Sequence, residues 1–562
     1  MIIKNEMSNF TLEDQNSEIK FKNNKKYLNV KFNRIAFIFF LFFIISIIYS
    51  IHLTHLGSRG LNKLNVNKYS SFDKIQRADI IDRKGNFLAK TVNSIDIGIN
   101  PVEVIDRKKL LLNLKYIFPN KNYELIQAQL KKDKFFWFEK KISNENYEKI
   151  MMLGDKSIKP HENLMRIYPE RNLFSHIIGQ IDDGNNGISG IEKSLNLELK
   201  EKDKPIQLTV DRDIQYLIRE ELIKFNKIFN TIGSAAILMN VNNGEIISIV
   251  SLPDFDPNKR EKITDVNFIN RATKGVYELG SVFKTFTLAA AFNESIVKPN
   301  TEFNNLEKSI RCGNNTISEY DEKIPSNLTA EEILIRSGNI GSVRIGQSIG
   351  INKFKDFMKN LDLIETVSFD IDEVGKPIPF KWGKCKLATA SYGHGITTTI
   401  LQLTNAYSII ANGGFKIKPT LIKKKIYPKG SKILNDNVTN NIVPILRKIV
   451  TTKAGTASLA NVEGYEVAGK TGTAEKSTIG GYSRKKINTF ASIFPASDPE
   501  YSLVVMLDEP KTNSEYIYNY RDGSGISYKG TPFNTAGWTS VEVVGQIIEK
   551  IGPILATKYI NG

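Results

Sequence analysis

Cysteine is nearly absent from this chain of 562 residues, which holds only Cys312 and Cys385. Two cysteines exclude a disulfide-rich scaffold and a metal cluster built on Cys-Xaa-Xaa-Cys pairs, and they leave a single bridge open. Arginine-rich stripes interleaved with aromatic residues, which favour nucleic acid, are also missing. The net charge of +17 comes from dispersed lysines. We therefore expect no nucleic-acid partner and a bias toward anionic surfaces.

One long apolar run is present, at residues 35–54, and a helix over it would reach about 30 Å, enough to cross a bilayer core. The run is longer than the apolar part of a cleavable signal, and a poor cleavage sequence follows it, so we predict an uncleaved transmembrane signal anchor. Residues 20–34 carry six basic residues and no acid. This asymmetry predicts a cytoplasmic basic tail at residues 1–34 and places the rest of the chain on the other side of the membrane.

Two regions follow the anchor. Residues 55–204 mix a strand hairpin with basic helical stretches and predict a non-catalytic α+β pedestal domain. Residues 205–562 begin and end with alternating strand patterns, which turn at Asn242-Asn243-Gly244 and at Ser497-Asp498-Pro499. Helical patterns lie between them. We therefore expect one antiparallel sheet assembled from both ends of the second domain.

Ser281 and Lys284 suggest nucleophilic catalysis. They open an apolar run directly after Gly280, so the serine is expected near a helix start with the lysine one turn on, on the same face. A lysine desolvated among apolar side chains can lose its proton and act as a base. The same Ser-Xaa-Xaa-Lys spacing recurs at other positions without an apolar helix start, so this pattern alone is weak.

Two later motifs add to it. Ser337 supplies a hydroxyl that can relay a proton, and Asn339 supplies an amide that can hold a substrate carbonyl or the lysine. Lys470 and Thr471 suit a substrate carboxylate, and Gly472 would leave room for a peptide along the strand edge. An exposed edge strand protected by a lysine is the alternative interpretation of that segment.

In this order, Ser-Xaa-Xaa-Lys, Ser-Xaa-Asn and Lys-Thr-Gly are the signature of penicillin-binding proteins and β-lactamases. The chain resembles class B penicillin-binding proteins over roughly residues 35 to 560. Further segments carry this resemblance: RADIIDRKGNFLA, RIYPERNLFSHIIGQIDDGNNGISGIEKSL, TVDRDIQ, SLPDFDPN, NRATKGVYELGSVFK and SYGHGITTTILQLTNAYSIIANGG. RADIIDR and KTGTAEK most resemble the division-type (FtsI-type, septal) transpeptidases. Leu279 and Gly338 depart from the family pattern at positions without a required catalytic side chain.

The resemblance implies a transpeptidase domain of the serine β-lactamase-like α/β fold, an antiparallel sheet with helices on both faces. It implies a peptidoglycan D,D-transpeptidase that cross-links stem peptides ending in D-Ala-D-Ala through a serine acyl-enzyme. Ser281 would be the nucleophile, Lys284 the base and Ser337 the proton relay, while the backbone N–H groups of Ser281 and Thr473 would form the oxyanion hole. Asn339, Lys470, Thr471, Gly472 and Thr473 would bind the substrate. No metal or organic cofactor is required.

The same resemblance implies other ligands and partners, which are β-lactams, the inner membrane, a septal glycosyltransferase and other divisome proteins. The alternatives are an elongation-type transpeptidase, a D,D-carboxypeptidase or β-lactamase, and a non-enzymatic divisome scaffold. His394 is tempting as a base, but a loop histidine between glycines is expected to be structural.

Overall fold

A computed structural model of the chain describes residues 18–23, 26–31, 34–58, 77–202, 204–259, 266–313, 315–478 and 481–558. The chain divides into two compact units, residues 1–74 and residues 75–562. The first unit contains an antiparallel hairpin and one helix, which are β1 (Glu18–Asn23), β2 (Lys26–Lys31) and α1 (Arg34–Ser58). Part of the predicted cytoplasmic tail, residues 1–17, lies outside the described residues.

Helix α1 contains the predicted membrane segment. Its window from Phe37 to Thr54 is apolar enough to cross a membrane, and every side chain in that window is exposed. A helix of 25 residues is about 37 Å long, which exceeds the thickness of a bilayer core. Because the helix is apolar all round rather than on one face, it fits a single-pass membrane anchor.

The second unit begins with the pedestal, a mixed region built around one long strand. Its elements are β3 (Ile80–Ile81), β4 (Phe87–Ile99), α2 (Arg107–Ile117), α3 (Tyr123–Leu130), β5 (Phe136–Ile142), α4 (Asn144–Met151), β6 (Ile158–Ile167), α5 (Ser175–Ile178), α6 (Gly190–Ser194), α7 (Asn196–Glu201) and β7 (Ile206–Gln207). Strand β4 pairs antiparallel with β3, β5 and β6, while β3 pairs in parallel with β7. Gly85, at φ +90°, allows the tight turn between β3 and β4, which form a strand hairpin of the kind predicted for this region.

A buried ion cluster holds the pedestal together. The Glu192 carboxylate binds the guanidinium groups of both Arg77 and Arg166, and all three side chains are buried. The carboxylate offsets the desolvation of both guanidinium groups, so its removal would leave two buried positive charges without this partner. The cluster therefore ties the start of the second unit to β6 and α6.

The catalytic region follows in the same unit. Its elements are α8 (Arg212–Ile228), β8 (Gly233–Asn240), β9 (Ile246–Leu252), α9 (Phe283–Asn293), β10 (Glu302–Phe303), β11 (Ser309–Cys312), β12 (Asn315–Ser318), β13 (Leu328–Thr329), α10 (Ala330–Ile335), α11 (Asn339–Ile349), α12 (Ile351–Asn360), α13 (Lys384–Ala390), α14 (Ile400–Ala411), α15 (Asp436–Thr451), β14 (Ala468–Thr478), β15 (Gly481–Phe494), β16 (Tyr501–Asp508), β17 (Ile517–Asn519), β18 (Ser527–Lys529) and α16 (Ser540–Lys558).

The central sheet has the order β14-β15-β16-β8-β9, with every pair antiparallel. Its strands come from both ends of the region, as the sequence predicted. Strands β9 and β16 are buried along their whole length, so helices must cover both faces of the sheet. Helices α8 and α16 pack on each other and on the sheet, and the fully buried α14 packs on β8, β15 and β16.

Two features bear on questions that the sequence left open. Strand β7, at residues 206–207, pairs with β3 and so belongs to the pedestal sheet, although it lies just after the domain boundary expected between residues 204 and 205. The position of that boundary stays a prediction. Cys312 and Cys385 form a disulfide with a Cα–Cα distance of 5.4 Å. This bridge ties the β11–β12 hairpin to α13.

Candidate active site

The predicted nucleophile lies on a tight turn. Gly280, at φ +63°, begins a short 3₁₀ turn that ends at Val282, and α9 continues from Phe283. Ser281 is half-buried and lines a cavity of about 600 Å³, the site of the other predicted polar groups. The turn thus presents a hydroxyl to the cavity at the N-terminal end of a buried helix, where partial positive charge favours a developing anion.

Lys284 lies in the first turn of α9 and is wholly buried. Its Nζ donates to the Ser337 carbonyl at 2.5 Å and to Asn339 Oδ1 at 2.7 Å, and it lies 3.3 Å from Ser337 Oγ. Burial lowers the pKa of Lys284 to about 7, against an opposing contribution from Glu319. About half of this lysine is therefore neutral at neutral pH, which is the state that a general base requires.

Ser337 lies between Lys284, the predicted base, and Lys470, which was predicted to bind the substrate. Its hydroxyl accepts from Lys470 Nζ at 2.8 Å while its carbonyl accepts from Lys284. Burial, and then the neighbouring positive charge of Lys284, hold the pKa of Lys470 well below its usual range. The backbone of Ser337 is left-handed, at φ +58°, a conformation that costs a non-glycine residue free energy and that the surrounding contacts must maintain.

The Lys-Thr-Gly segment lies on β14, the edge strand of the sheet. Lys470 Nζ contacts the Thr471 carbonyl at 3.1 Å, and the side chains of Thr471 and Thr473 line the cavity. A Cβ added to Gly472 would lie 2.1 Å from the Leu279 carbonyl oxygen. The glycine is thus required for the close approach of β14 to the nucleophile turn.

The structure brings the predicted residues together at one place. Ser281, Ser337, Asn339, Thr471 and Thr473 line the same cavity. The side chains of Lys284 and Lys470 are buried behind this wall. Residues that lie 189 positions apart in sequence, from Ser281 to Lys470, therefore form a single site.

Other residues of the site were not predicted. Thr456 Oγ1 lies 2.8 Å from Thr471 Oγ1, so it orients a hydroxyl of the cavity wall. The Glu278 carboxylate accepts from the Gly395 N–H at 2.7 Å and from the Tyr482 hydroxyl at 3.0 Å. In the sequence, Glu278 stands out only because it lies three residues before Ser281. No pattern in the sequence singles out Thr456.

His394 lies in an aromatic stack at the rim of the cavity. Its ring centroid lies 4.5 Å from that of Tyr482 and 5.8 Å from that of Tyr392. Its Nδ1 lies 3.9 Å from a carboxylate oxygen of Glu278. Burial lowers the pKa of His394, and Glu278 opposes that shift. These contacts hold the imidazole between two tyrosines, and a structural role for this histidine stays a prediction.

Fold and site together define the class of lysine-assisted serine acyltransferases. The family described as "Penicillin binding protein transpeptidase domain" matches residues 234–524, which is more than half of the chain. The chain therefore belongs to the penicillin-binding protein transpeptidase family. "Penicillin-binding Protein dimerisation domain" matches residues 73–222, and this pair of domains confirms the expected class B organisation, while relatives named FtsI support the FtsI type.

Curated relatives cover most of the chain. A protein of Caulobacter vibrioides named "Probable peptidoglycan D,D-transpeptidase FtsI" is 29% identical over 498 residues, covering 86% of this chain and 82% of the relative. "Peptidoglycan D,D-transpeptidase FtsI" of Buchnera aphidicola is 28% identical, covering 78% and 84%. "Stage V sporulation protein D" of Bacillus subtilis is also 28% identical, covering 78% and 75%.

The fold also matches solved structures. Penicillin binding protein 3 of Mycobacterium tuberculosis, solved in complex with aztreonam, aligns with a TM-score of 0.64 at 20% identity. The alignment covers 87% of this chain and 97% of that chain. At this identity the match establishes the fold, including the pedestal that precedes the catalytic region.

Proposed function

We propose that this chain is a peptidoglycan D,D-transpeptidase that cross-links stem peptides through an acyl-enzyme on Ser281. One observation carries the proposal most directly. A wholly buried lysine whose pKa is lowered to about 7 contacts Ser337 and Asn339 behind a cavity that Ser281 lines. The names of the FtsI relatives add the substrate and the reaction.

Acylation uses the neutral form of Lys284. Ser281 Oγ attacks the carbonyl carbon of the penultimate D-Ala while Lys284 Nζ takes the hydroxyl proton. The backbone N–H groups of Ser281 and Thr473 hold the tetrahedral oxyanion. Removing one such donor typically lowers the rate by 10² to 10³-fold. The C–N bond to the terminal D-Ala then breaks, and Ser337 Oγ passes a proton to the leaving nitrogen.

Substrate binding involves Lys470 and Thr471. The terminal carboxylate of the donor peptide binds at the Thr471 hydroxyl, with Lys470 directly behind it. A bound anion favours the protonated form of Lys470, against the burial that lowers its pKa. Protonated Lys470 can then supply the proton that Ser337 passes on.

Transfer to the second stem peptide completes the reaction. Lys284 first passes the proton that it took from Ser281 to Lys470 through Ser337 Oγ, which lies within reach of both amines. The amine of the acceptor then attacks the ester carbon of the acyl-enzyme, Lys284 takes the amine proton, and this proton passes to the ester oxygen of Ser281 as it leaves. The net change is one amide bond formed and one amide bond broken. A β-lactam places a strained amide in the same position and acylates the same serine.

The test is covalent labelling of the periplasmic portion, residues 56–562, with benzylpenicillin followed by mass spectrometry. A persistent adduct on the peptide that contains Ser281 is expected, together with its loss in a folded Ser281→Ala protein. Retained labelling of Ser281→Ala would overturn the assignment of the nucleophile. An adduct that disappears within seconds would favour the carboxypeptidase or β-lactamase alternative, and no adduct would favour a scaffold.

A septal role follows from the FtsI relatives, which favour the division class over the elongation class. Depletion of the protein in growing cells tests this role by microscopy. Filamentous cells support septal synthesis, whereas rounded cells would indicate elongation. The proposed partners are a septal glycosyltransferase and other divisome proteins, which the anchor and the pedestal would contact.

The proposed location is the bacterial inner membrane, with α1 crossing once and the catalytic region in the periplasm. The basic residues before α1 support a cytoplasmic N-terminus. In the same scheme the pedestal is residues 55–204 and the transpeptidase domain is residues 205–562. Protease protection of a tag fused to residue 1, in sealed spheroplasts, tests the orientation.

A further inference from the structure

Helix α11 begins at the active site, and the group that caps its N-terminus belongs to an earlier segment of the chain. Its N-cap residue, Gly338, has no side chain to supply a cap. Glu319 fills this role, because its Oε2 accepts from the Asn339 N–H at 2.7 Å and its Oε1 accepts from the Ile340 N–H at 2.8 Å. One carboxylate thus satisfies two of the N–H groups that a helix start leaves without intrahelical partners.

The residue next to Glu319 fixes the side chain of Asn339. Asn339 Nδ2 donates to the Ser318 carbonyl at 2.8 Å, which leaves Oδ1 directed at Lys284 Nζ, 2.7 Å away. Ser318 and Glu319 therefore hold both the backbone and the amide of Asn339. Because Asn339 and Ser337 belong to one turn, the same contacts fix the serine that accepts from both lysines.

We infer that Glu319 is a positioning residue for acyl transfer. Its hydrogen bonds hold the Ser337–Asn339 turn against Lys284, and its carboxylate supplies a negative charge that acts on this lysine. The inference rests on the proposed function, and it adds a group that none of the three motifs contains.

The segment that carries Glu319 is itself restrained. The Glu319 N–H donates to the Lys308 carbonyl at 2.9 Å, at the base of the β11–β12 hairpin. The far end of the hairpin is joined to α13 by the disulfide between Cys312 and Cys385. The carboxylate is thus held by a hairpin that is fixed at both ends.

Lys284 faces groups from several elements. Ser337 and Asn339 face it from the connection before α11, and Lys470 faces it from β14. Glu319 supplies the negative charge that opposes burial and raises the pKa of Lys284. Glu319 thus has two separable effects, since its hydrogen bonds hold the turn and its charge retains a proton on the lysine.

Two substitutions separate these effects. Glu319→Gln keeps an amide oxygen for one of the two N–H groups but removes the charge, whereas Glu319→Ala removes both. Glu322→Gln is the matched control, because it neutralises an exposed acid three positions away. The second-order rate constant for acylation by a fluorescent penicillin is measured from pH 5 to 9. Each rate is normalised to the active-site concentration, titrated with benzylpenicillin, so that unfolded protein does not count.

Glu319→Gln is expected to move the acidic limb of the pH profile to lower pH by about half a unit to one unit, because Lys284 loses its proton more readily. Glu319→Ala is expected to lower the plateau rate by about tenfold to a hundredfold as well, because the turn is misplaced. A purely structural role would lower rates without moving the limb.

The inference fails if Glu319→Gln has the profile of the wild type, or if Glu322→Gln moves the limb equally. In both cases the wild type is still acylated and the proposed function stands. Absence of acylation in the wild type and in Glu322→Gln alike would instead remove the proposed function, and this inference with it.

Discussion

Lys284→Arg tests the proposed base, because arginine keeps the positive charge and cannot lose it near neutral pH. The magnitude follows from the pKa of Lys284, which burial lowers from 10.5 to about 7. At its ordinary pKa roughly 3 × 10⁻⁴ of a lysine is neutral at pH 7, compared with about half at the lowered pKa. Burial therefore increases the amount of available base by about 10³-fold. Lys284→Arg should lose at least that factor in acylation rate.

The wild type supplies a measurement that does not depend on how well the variant folds. Its acylation rate should rise with pH along a limb with its midpoint near 7, and it should fall about tenfold per unit well below that pH. Stopped-flow measurement with a fluorescent penicillin from pH 5 to 9 gives the profile, and circular dichroism reports folding of Lys284→Arg. A wild-type rate that does not change between pH 5.5 and 8 would refute the assignment of Lys284 as the base.

Three further predictions concern the rest of the site and its support. Ser337→Gly should fold as stably as the wild type, because glycine suits φ +58°, but should lose about 10² to 10³-fold in acylation when the hydroxyl is removed. Gly472→Ala should lower thermal stability and abolish labelling, because its Cβ would lie 2.1 Å from the Leu279 carbonyl oxygen; a labelled, fully stable variant would contradict the close approach. Replacing Cys312 and Cys385 by serine opens a loop with a sequence separation of 73 and should cost about 4 kcal/mol of unfolding free energy in urea titrations, whereas an unchanged midpoint would refute the stabilising role.

The sequence predicted the parts of the structure that local pattern determines. The apolar segment at residues 35–54 predicted α1, and Asn242-Asn243-Gly244 predicted the turn between β8 and β9. The motifs predicted which residues would meet, because their spacing is typical of one family. The local pattern predicted that Lys470 lies on a strand, and the resemblance predicted that this strand reaches the site.

Contacts between distant residues could not be predicted in the same way. Glu319 is one of many acids in a polar segment, and only the fold brings it to the start of α11. Thr456 likewise reaches Thr471 through the packing of a loop on β14. Gly472 was expected to make room for substrate, whereas the structure shows that the backbone of Leu279 occupies the space over its Cα. In each case the determining neighbour lies in another element.

The lowered pKa of Lys284 also determines what the site costs in stability. In the unfolded chain this lysine has its ordinary pKa of 10.5, so between pH 7 and 10.5 the unfolded state binds more protons than the folded state. Stability therefore rises with pH across this range, and at pH 7 the desolvated lysine costs about 4 kcal/mol relative to an unperturbed one. Helix α9 offsets this cost, because Phe283, Phe286 and Phe292 are fully buried and each contributes roughly 1.5 to 3 kcal/mol. The burial that stabilises α9 also encloses Lys284, so the fold that offsets the cost of desolvation is the one that keeps part of this lysine neutral.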